Sequence, residues 1–162
     1  MKRISIIGGG GTGKTTLALR LGKIFDLPVY HIDGIKYLEN WKKRDELERY
    51  EILSKYIKED KWIIEGNFTM SLEEQFKRSE KIIFLDYSLF AQLKGLVKRM
   101  IFNFNKEVVG IPGCKEKINF SFIKFVTKFN RTKKTIYLDL LKKEGPEKVL
   151  IFKNRKGLNR YL

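Results

Sequence analysis

The chain has 162 residues, of which 43% are hydrophobic, and this size suits one domain with an ordinary buried core. No stretch approaches the roughly 20 apolar residues that cross a bilayer, and the single cysteine, Cys114, has no partner for a disulfide or a zinc site. We therefore expect a cytoplasmic protein with no membrane partner. The net charge of +15 suits a protein that binds polyanions, although a general bias toward lysine would produce it too, so nucleic-acid binding stays an open alternative.

The first element is a short apolar strand, Ile4 to Ile7, which runs into a glycine-rich loop and then a helix over 14–25. The loop has the spacing G-x-x-x-x-G-K-[ST], which is typical of a phosphate-binding loop, because its backbone N–H groups must close around phosphate oxygens. Lys14 adds a positive charge for the β- and γ-phosphates, and Thr15 offers a hydroxyl to Mg²⁺. The predicted nucleotide-binding residues are Gly8, Gly10, Gly11, Thr12, Gly13, Lys14, Thr15 and Thr16.

The same glycines also fit a dinucleotide-binding fingerprint. Gly8, Gly10 and Gly13 have the G-x-G-x-x-G spacing, and Asp33 follows about twenty residues later, where an acid that binds ribose would lie. A dinucleotide loop has no use for a Lys-Thr pair at its end. The sequence therefore favours a nucleoside triphosphate.

Later apolar runs, bounded by turn residues, predict four more strands: 29–32, 61–66, 81–86 and 148–152. Between and after them, helical patterns are predicted over 45–58, 91–102, 120–143 and 157–162, and the segment 103–117 is expected to be an exposed excursion. Strands that alternate with helices indicate right-handed crossovers. The predicted fold is an α/β fold with a parallel sheet and helices on both faces.

Acidic residues end three of these strands, and ligands of such sheets bind at the carboxyl ends of the strands. Asp33 ends the second strand and is a candidate either to accept a proton from an acceptor hydroxyl or to hold a substrate hydroxyl. The alternative is that it caps the following segment. Glu65 and Asp86 end the next two strands, and either carboxylate suits Mg²⁺. We favour Glu65, because Gly66 beside it would let phosphates approach.

Other candidates lie between the strands. Tyr37 and Trp41 are aromatic residues in a polar stretch, where they would cover a substrate or pack on a helix. Arg99 and Arg131 bracket the excursion and are candidate catalytic cations, and Arg78 is a candidate for the acceptor side; a plain surface position is the alternative for each. His31, the single histidine, is expected in mid-strand as a core residue.

Several strings together resemble a bacterial family of DNA topology modulation proteins, small P-loop proteins similar to adenylate kinase. Besides the loop, they are Val29 to Asp33, the string Trp62-Ile63-Ile64-Glu65-Gly66-Asn67-Phe68, Ile83 to Asp86, and Pro112 to Glu116. The resemblance covers nearly the whole chain. It implies one P-loop kinase-like domain over 1–162, with a three-layer fold and a five-stranded parallel sheet of order 2-3-1-4-5.

The resemblance also implies ATP and Mg²⁺ as cofactors, an acceptor-binding segment around 34–60 and a lid near 103–130. By similarity, Lys14 and Thr15 would serve phosphate and Mg²⁺. Glu65 would take the place of the aspartate after strand three, and Arg99 that of the arginine at the start of the lid. One departure stands out: adenylate kinases continue that strand with Gly-Phe-Pro-Arg, and this chain has Gly66-Asn67-Phe68-Thr69. The arginine that binds a monophosphate is therefore missing.

These observations predict a small kinase that transfers the γ-phosphoryl group of ATP to a nucleoside, a nucleotide or another small hydroxyl compound. A nucleotide-gated regulator that binds nucleic acid with little catalysis is the main alternative. A plain ATPase that acts on contact with a partner is a third.

Overall fold

The computed structural model describes residues 1–116, 126–127 and 132–162. Five strands form a parallel sheet: β1 (Arg3–Gly8), β2 (Val29–His31), β3 (Trp62–Glu65), β4 (Lys81–Leu85) and β7 (Val149–Phe152). Their order in the sheet is β2-β3-β1-β4-β7. Since β7 is the fifth strand of this sheet along the chain, the predicted order 2-3-1-4-5 is confirmed. The central strands are almost wholly buried, as near-continuous apolar runs predict for a sheet covered on both faces.

Seven helices lie within the described residues and connect or flank these strands. They are α1 (Lys14–Phe25), α2 (Ile32–Lys36), α3 (Glu46–Lys58), α4 (Leu72–Arg78), α5 (Leu89–Asn103), α6 (Lys134–Lys142) and α7 (Arg155–Tyr161). Asp45 caps α3, because its carboxylate accepts hydrogen bonds from the backbone N–H groups of Leu47 and Glu48. None of these helices is long and apolar enough to cross a membrane.

The helices cover the sheet in two layers, because successive strand residues point to opposite faces. Ile6 packs with Leu17 and Leu21 of α1 on one face, whereas Ile7 packs with the cluster that contains Phe76 of α4 and Tyr137 of α6 on the other. A third apolar cluster joins β3 to α2 and α3. The chain therefore has the predicted three-layer α/β architecture.

The expected exposed excursion at 103–117 is wrong for its second half. Two short antiparallel strands, β5 (Glu107–Val108) and β6 (Ile111–Lys115), form a hairpin that packs against the segment following β2. Ile111 and Cys114 are buried there, and the Cys114 Sγ accepts a hydrogen bond from the backbone N–H of Trp41 at 3.3 Å. Residues 126–127 and 132–142 of the helix predicted over 120–143 are helical, and residue 143 forms a turn. Residues 120–125 and 128–131 lie outside the described residues.

Helix α5 packs directly on the glycine-rich loop after β1. A Cβ atom added at Gly95 would lie 2.0 Å from the Gly11 carbonyl oxygen, far inside van der Waals contact. A Cβ atom added at Gly9 would lie equally close to the Gln92 side chain. This approach of two backbones needs glycine on both sides, and it fixes the position of the loop relative to α5.

We predict that Gly95→Ala forces α5 away from the loop and lowers the free energy of unfolding by about 1–3 kcal/mol, the usual cost of overpacking. The matched control is Gly157→Ala in α7, where the added Cβ would lie 3.5 Å from the Asn154 side chain, an ordinary contact. Urea denaturation of both variants measures the difference. Equal stabilities would contradict the close contact between the loop and α5.

Candidate functional site

The loop over 8–15 connects the carboxyl end of β1 to the start of α1. Gly11 and Gly13 have φ values of 74° and 93°, which favour glycine, and the buried Thr12 hydroxyl donates to the Gly9 carbonyl oxygen at 2.9 Å. The Lys14 ammonium group donates to the same oxygen at 3.0 Å. Since α1 begins at Lys14, the N–H groups of its first turn, including those of Thr15 and Thr16, are available to an anion.

The Glu65 carboxylate is the polar centre beside this loop. Its Oε1 accepts hydrogen bonds from the Thr15 hydroxyl at 3.0 Å and from His31 Nδ1 at 2.8 Å. The second bond requires the imidazole proton on Nδ1. Sheet register explains the contact, because His31 is the partner of Glu65 in the β2–β3 pair. His31 is thus the last residue of its strand and a contact of Glu65, and the expectation of a mid-strand core residue is wrong.

Opposite charges stabilise one another across the site. Burial alone would raise the pKa of Glu65, but the hydrogen bond from His31 and the Lys14 charge outweigh it, so this pKa lies below its usual range. Burial lowers the pKa of Lys14, and the charges of Glu65 and Asp33 partly offset that effect. Arg99 also acts on Lys14, as a like charge that lowers the same pKa. Lys14 therefore interacts electrostatically with Glu65, Asp33 and Arg99.

The oxygen atoms of Thr15 and Glu65 suit a hard divalent cation. A hydroxyl and a carboxylate oxygen 3.0 Å apart, next to a phosphate-binding loop, are the donor types that Mg²⁺ takes when phosphates and water complete its shell. Asp86, the other candidate, is differently engaged. Its carboxylate is almost fully buried and forms ion pairs with Lys134 and Lys153. The geometry therefore favours Glu65 over Asp86.

Asn67 ties the loop to the end of β3. Its side-chain amide donates to the Gly8 carbonyl oxygen at 2.7 Å and accepts from the Gly8 N–H at 3.3 Å. Gly66, beside it, has a φ of 123°, and a Cβ atom there would lie 2.8 Å from Ile32 Cβ. The glycine is therefore needed for packing on Ile32, whereas the sequence suggested access for phosphates.

The hairpin of β5 and β6 contacts the site at His31 and Gly34. A Cβ atom added at Gly110 would lie 2.5 Å from the His31 ring, and one added at Gly34 would lie 2.0 Å from the Gly110 carbonyl oxygen. Below the hairpin, Arg99 of α5 binds the buried Glu116 carboxylate through Nε at 3.2 Å and Nη2 at 3.0 Å. The hairpin thus contacts His31, a hydrogen-bond partner of Glu65, and is joined to α5 by a charge-assisted pair.

Some predicted site residues occupy other positions than expected. Asp33 lies in the first turn of α2, because β2 already ends at His31, and its side chain is exposed near Lys14. Tyr37 and Trp41 pack edge to face with ring centres 5.2 Å apart. Trp41 Nε1 also donates to the Lys115 carbonyl oxygen at 3.3 Å, so these rings support the hairpin.

One predicted arginine, Arg78, lies away from the assembled site. Arg78 is wrong as an acceptor residue: it ends α4 just before β4 begins, at the opposite edge of the sheet from the loop. Its guanidinium donates to the Lys58 and Glu59 carbonyl oxygens, and its own carbonyl accepts from Arg3 at the start of β1. Arg131 lies outside the described residues.

Arg155 is a cation that the sequence analysis missed. Its Nη2 lies 3.7 Å from where a Cβ atom at Gly13 would be, so its guanidinium is beside the loop. It follows the last strand of the sheet, at the same carboxyl edge as Asp33 and Glu65. The rule that strand ends meet at one edge would have identified it, along with His31 and Asn67.

Solved structures of small kinases share this fold. Shikimate kinase from Acinetobacter baumannii, in complex with shikimate, superposes with a TM-score of 0.61 and 12% identity over 86% of this chain and 80% of that one. A gluconokinase from Sinorhizobium meliloti 1021 gives 0.59 and 11% over 98% and 86%, and shikimate kinase from Bacteroides thetaiotaomicron gives 0.57 and 15% over 98% and 92%. No family model matches the chain, and no curated protein sequence matches it. At these identities, the similarity establishes the fold alone, a three-layer α/β fold shared with these kinases.

We predict that Asn67→Ala loosens the loop by removing both bonds to Gly8, at a cost of about 1–2 kcal/mol in the free energy of unfolding. Asn159→Ala, on the exposed side of α7, is the control for the loss of an amide. Thermal unfolding of the two variants gives the comparison. If Asn67→Ala unfolds at the wild-type temperature, Asn67 does not hold the loop.

Proposed function

We propose that the protein is an ATP-dependent kinase that phosphorylates a small hydroxyl compound. The observation that carries this proposal is the placement of Thr15 and Glu65 oxygens 3.0 Å apart at the mouth of a loop with Lys14 inside it. A loop alone would serve any nucleotide-binding protein. Phosphoryl transfer also needs a site for Mg²⁺, a proton acceptor and cations near the transferred group. The Thr15 and Glu65 oxygens, the exposed Asp33 carboxylate and the two arginines Arg99 and Arg155 are candidates for these roles.

The chain's residues divide the work of the transfer. In this proposal the loop amides and Lys14 hold the β- and γ-phosphates, and Arg99 and Arg155 would stabilise the charge that develops on the transferred group. The acceptor oxygen attacks the γ-phosphorus, the bond from that phosphorus to the β–γ bridging oxygen breaks, and ADP leaves. Asp33 takes the hydroxyl proton. Mg²⁺ held by Thr15 and Glu65 would supply neutralising charge between the β- and γ-phosphates.

The segment 34–60 is the acceptor-binding side of this proposal, and the chain from 103 to 130 is the lid. The described part of the lid supports this assignment, because the hairpin already contacts His31 and Gly34. Closure there would exclude water from the transferred phosphoryl group. Membership of the DNA topology modulation family and a cytoplasmic location are part of the same proposal.

A nucleotide-gated protein that binds nucleic acid is the rival, and the net charge of +15 favours it. Steeply salt-dependent DNA binding, combined with no phosphoryl acceptor, would support the rival over the kinase.

We predict that Lys14→Ala lowers ATP affinity by about tenfold or more, because the ammonium group is the one charged contact that the loop makes with the phosphates. Lys23→Ala, in the exposed last turn of α1, removes the same charge away from the loop. Calorimetric titration with a non-hydrolysable ATP analogue measures both. Unchanged affinity in Lys14→Ala would refute the nucleotide site.

We predict that Glu65→Gln raises the Mg²⁺ concentration for half-maximal turnover by about tenfold, the usual effect of losing a carboxylate near a bound metal. Asp86→Asn, which removes the competing carboxylate, should leave this concentration unchanged. ADP release, measured against Mg²⁺ concentration, separates them. If only Asp86→Asn shifts the dependence of turnover on Mg²⁺ concentration, the assignment of Mg²⁺ to Thr15 and Glu65 is wrong.

A further inference from the structure

A cavity of about 160 Å³ lies beside the loop, between α2, α3 and the chain after β3. This volume is enough for a small molecule or for one end of a larger one. Asn67 lines it and also binds the Gly8 backbone, which places the cavity next to the phosphate-binding loop. Ile32, Ile35, Leu53 and Phe68 give it apolar walls.

The charged residues around this cavity are mostly basic. Lys36, Arg49 and Lys133 contribute three positive charges, and Glu46 contributes one negative charge. The Glu46 side chain is 61% exposed, so water screens it, whereas the Arg49 side chain is only 17% exposed. Lys133 is exposed as well. The lining therefore carries a net positive charge beside a partly buried Arg49 side chain.

Arg49 is held in place before any ligand binds. Its Nε donates to the Asp45 carbonyl oxygen at 3.4 Å, its Nη2 lies 3.7 Å from Glu46 Oε1, and its guanidinium carbon lies 5.0 Å from the centre of the Phe68 ring. A planar guanidinium fixed on an aromatic face is suited to bind a carboxylate or phosphate through two parallel hydrogen bonds. Ordering such a side chain in advance lowers the entropic cost of binding.

We propose that the phosphoryl acceptor is a small hydroxyl compound that carries an anionic group, and that Arg49, Lys36 and Lys133 bind this group in the cavity. The inference rests on the proposed kinase function and specifies its acceptor. It places the anion at the end of the acceptor away from the loop, so that a hydroxyl of the same molecule points toward Asp33 and the γ-phosphate. Neutral sugars and nucleosides are then poor acceptors.

Three probes with one carbon skeleton test the inference: glycerol, glycerate and glycerol 3-phosphate. Each is titrated into the wild-type chain, with and without a saturating non-hydrolysable ATP analogue and Mg²⁺, and binding is followed by NMR. The two anionic probes should bind at least about tenfold more tightly than glycerol, and the tighter of the two identifies the anion as carboxylate or phosphate. Equal binding of all three probes overturns the proposal.

Variants locate the binding. Arg49→Gln should weaken the binding of the anionic probes about tenfold. Lys133→Gln is a second cavity substitution, and it leaves the contacts of Arg49 with Asp45, Glu46 and Phe68 in place. Lys55→Gln removes a charge from the exposed side of α3, the helix that carries Arg49, and should leave the binding of the probes unchanged. Anion binding that survives both cavity substitutions but is lost in Lys14→Ala belongs to the phosphate loop and refutes the proposal. Since the cavity variants define the result, it can be read even if the chain does not bind ATP.

Discussion

The buried Glu65 carboxylate is the group on which the arrangement of the site depends. A carboxylate at this depth is costly unless it is paired, and Thr15, His31 and Lys14 all act to keep it charged. Thr15 and Lys14 come from the start of α1, His31 comes from β2, and Glu65 itself ends β3. Pairing one charge thus fixes three elements relative to one another at the carboxyl edge of the sheet.

Two close glycine contacts connect the surroundings of Glu65 to α5 and to the hairpin. Gly11 against Gly95 joins the phosphate loop to α5, and Gly34 against Gly110 joins α2 to the hairpin. Arg99 lies on α5 and binds Glu116, just after the hairpin. The loop is therefore connected to the hairpin through one helix and one charged pair, and this connection would couple the proposed lid to the loop.

The sheet could be predicted from the sequence because each strand is an apolar run with turn residues at its ends. The order of the strands came from the resemblance, and the loop from its spacing. The position of Arg78 could not be predicted, because its spacing after β3 does not reveal that α4 carries it back to the amino edge of the sheet. His31 was misjudged for a similar reason: its role depends on the register that pairs it with Glu65, and register is a tertiary property. The hairpin was missed because two strands of two and five residues give little periodicity.

The most direct test of the account is a crystal structure of the chain with a non-hydrolysable ATP analogue and Mg²⁺. The account predicts the β- and γ-phosphates within the loop over 8–15, with the metal at roughly 2.1 Å from the Thr15 hydroxyl oxygen and Glu65 bound to it directly or through one water. Phosphates seated elsewhere on the molecule, or a metal distant from both Thr15 and Glu65, would contradict it.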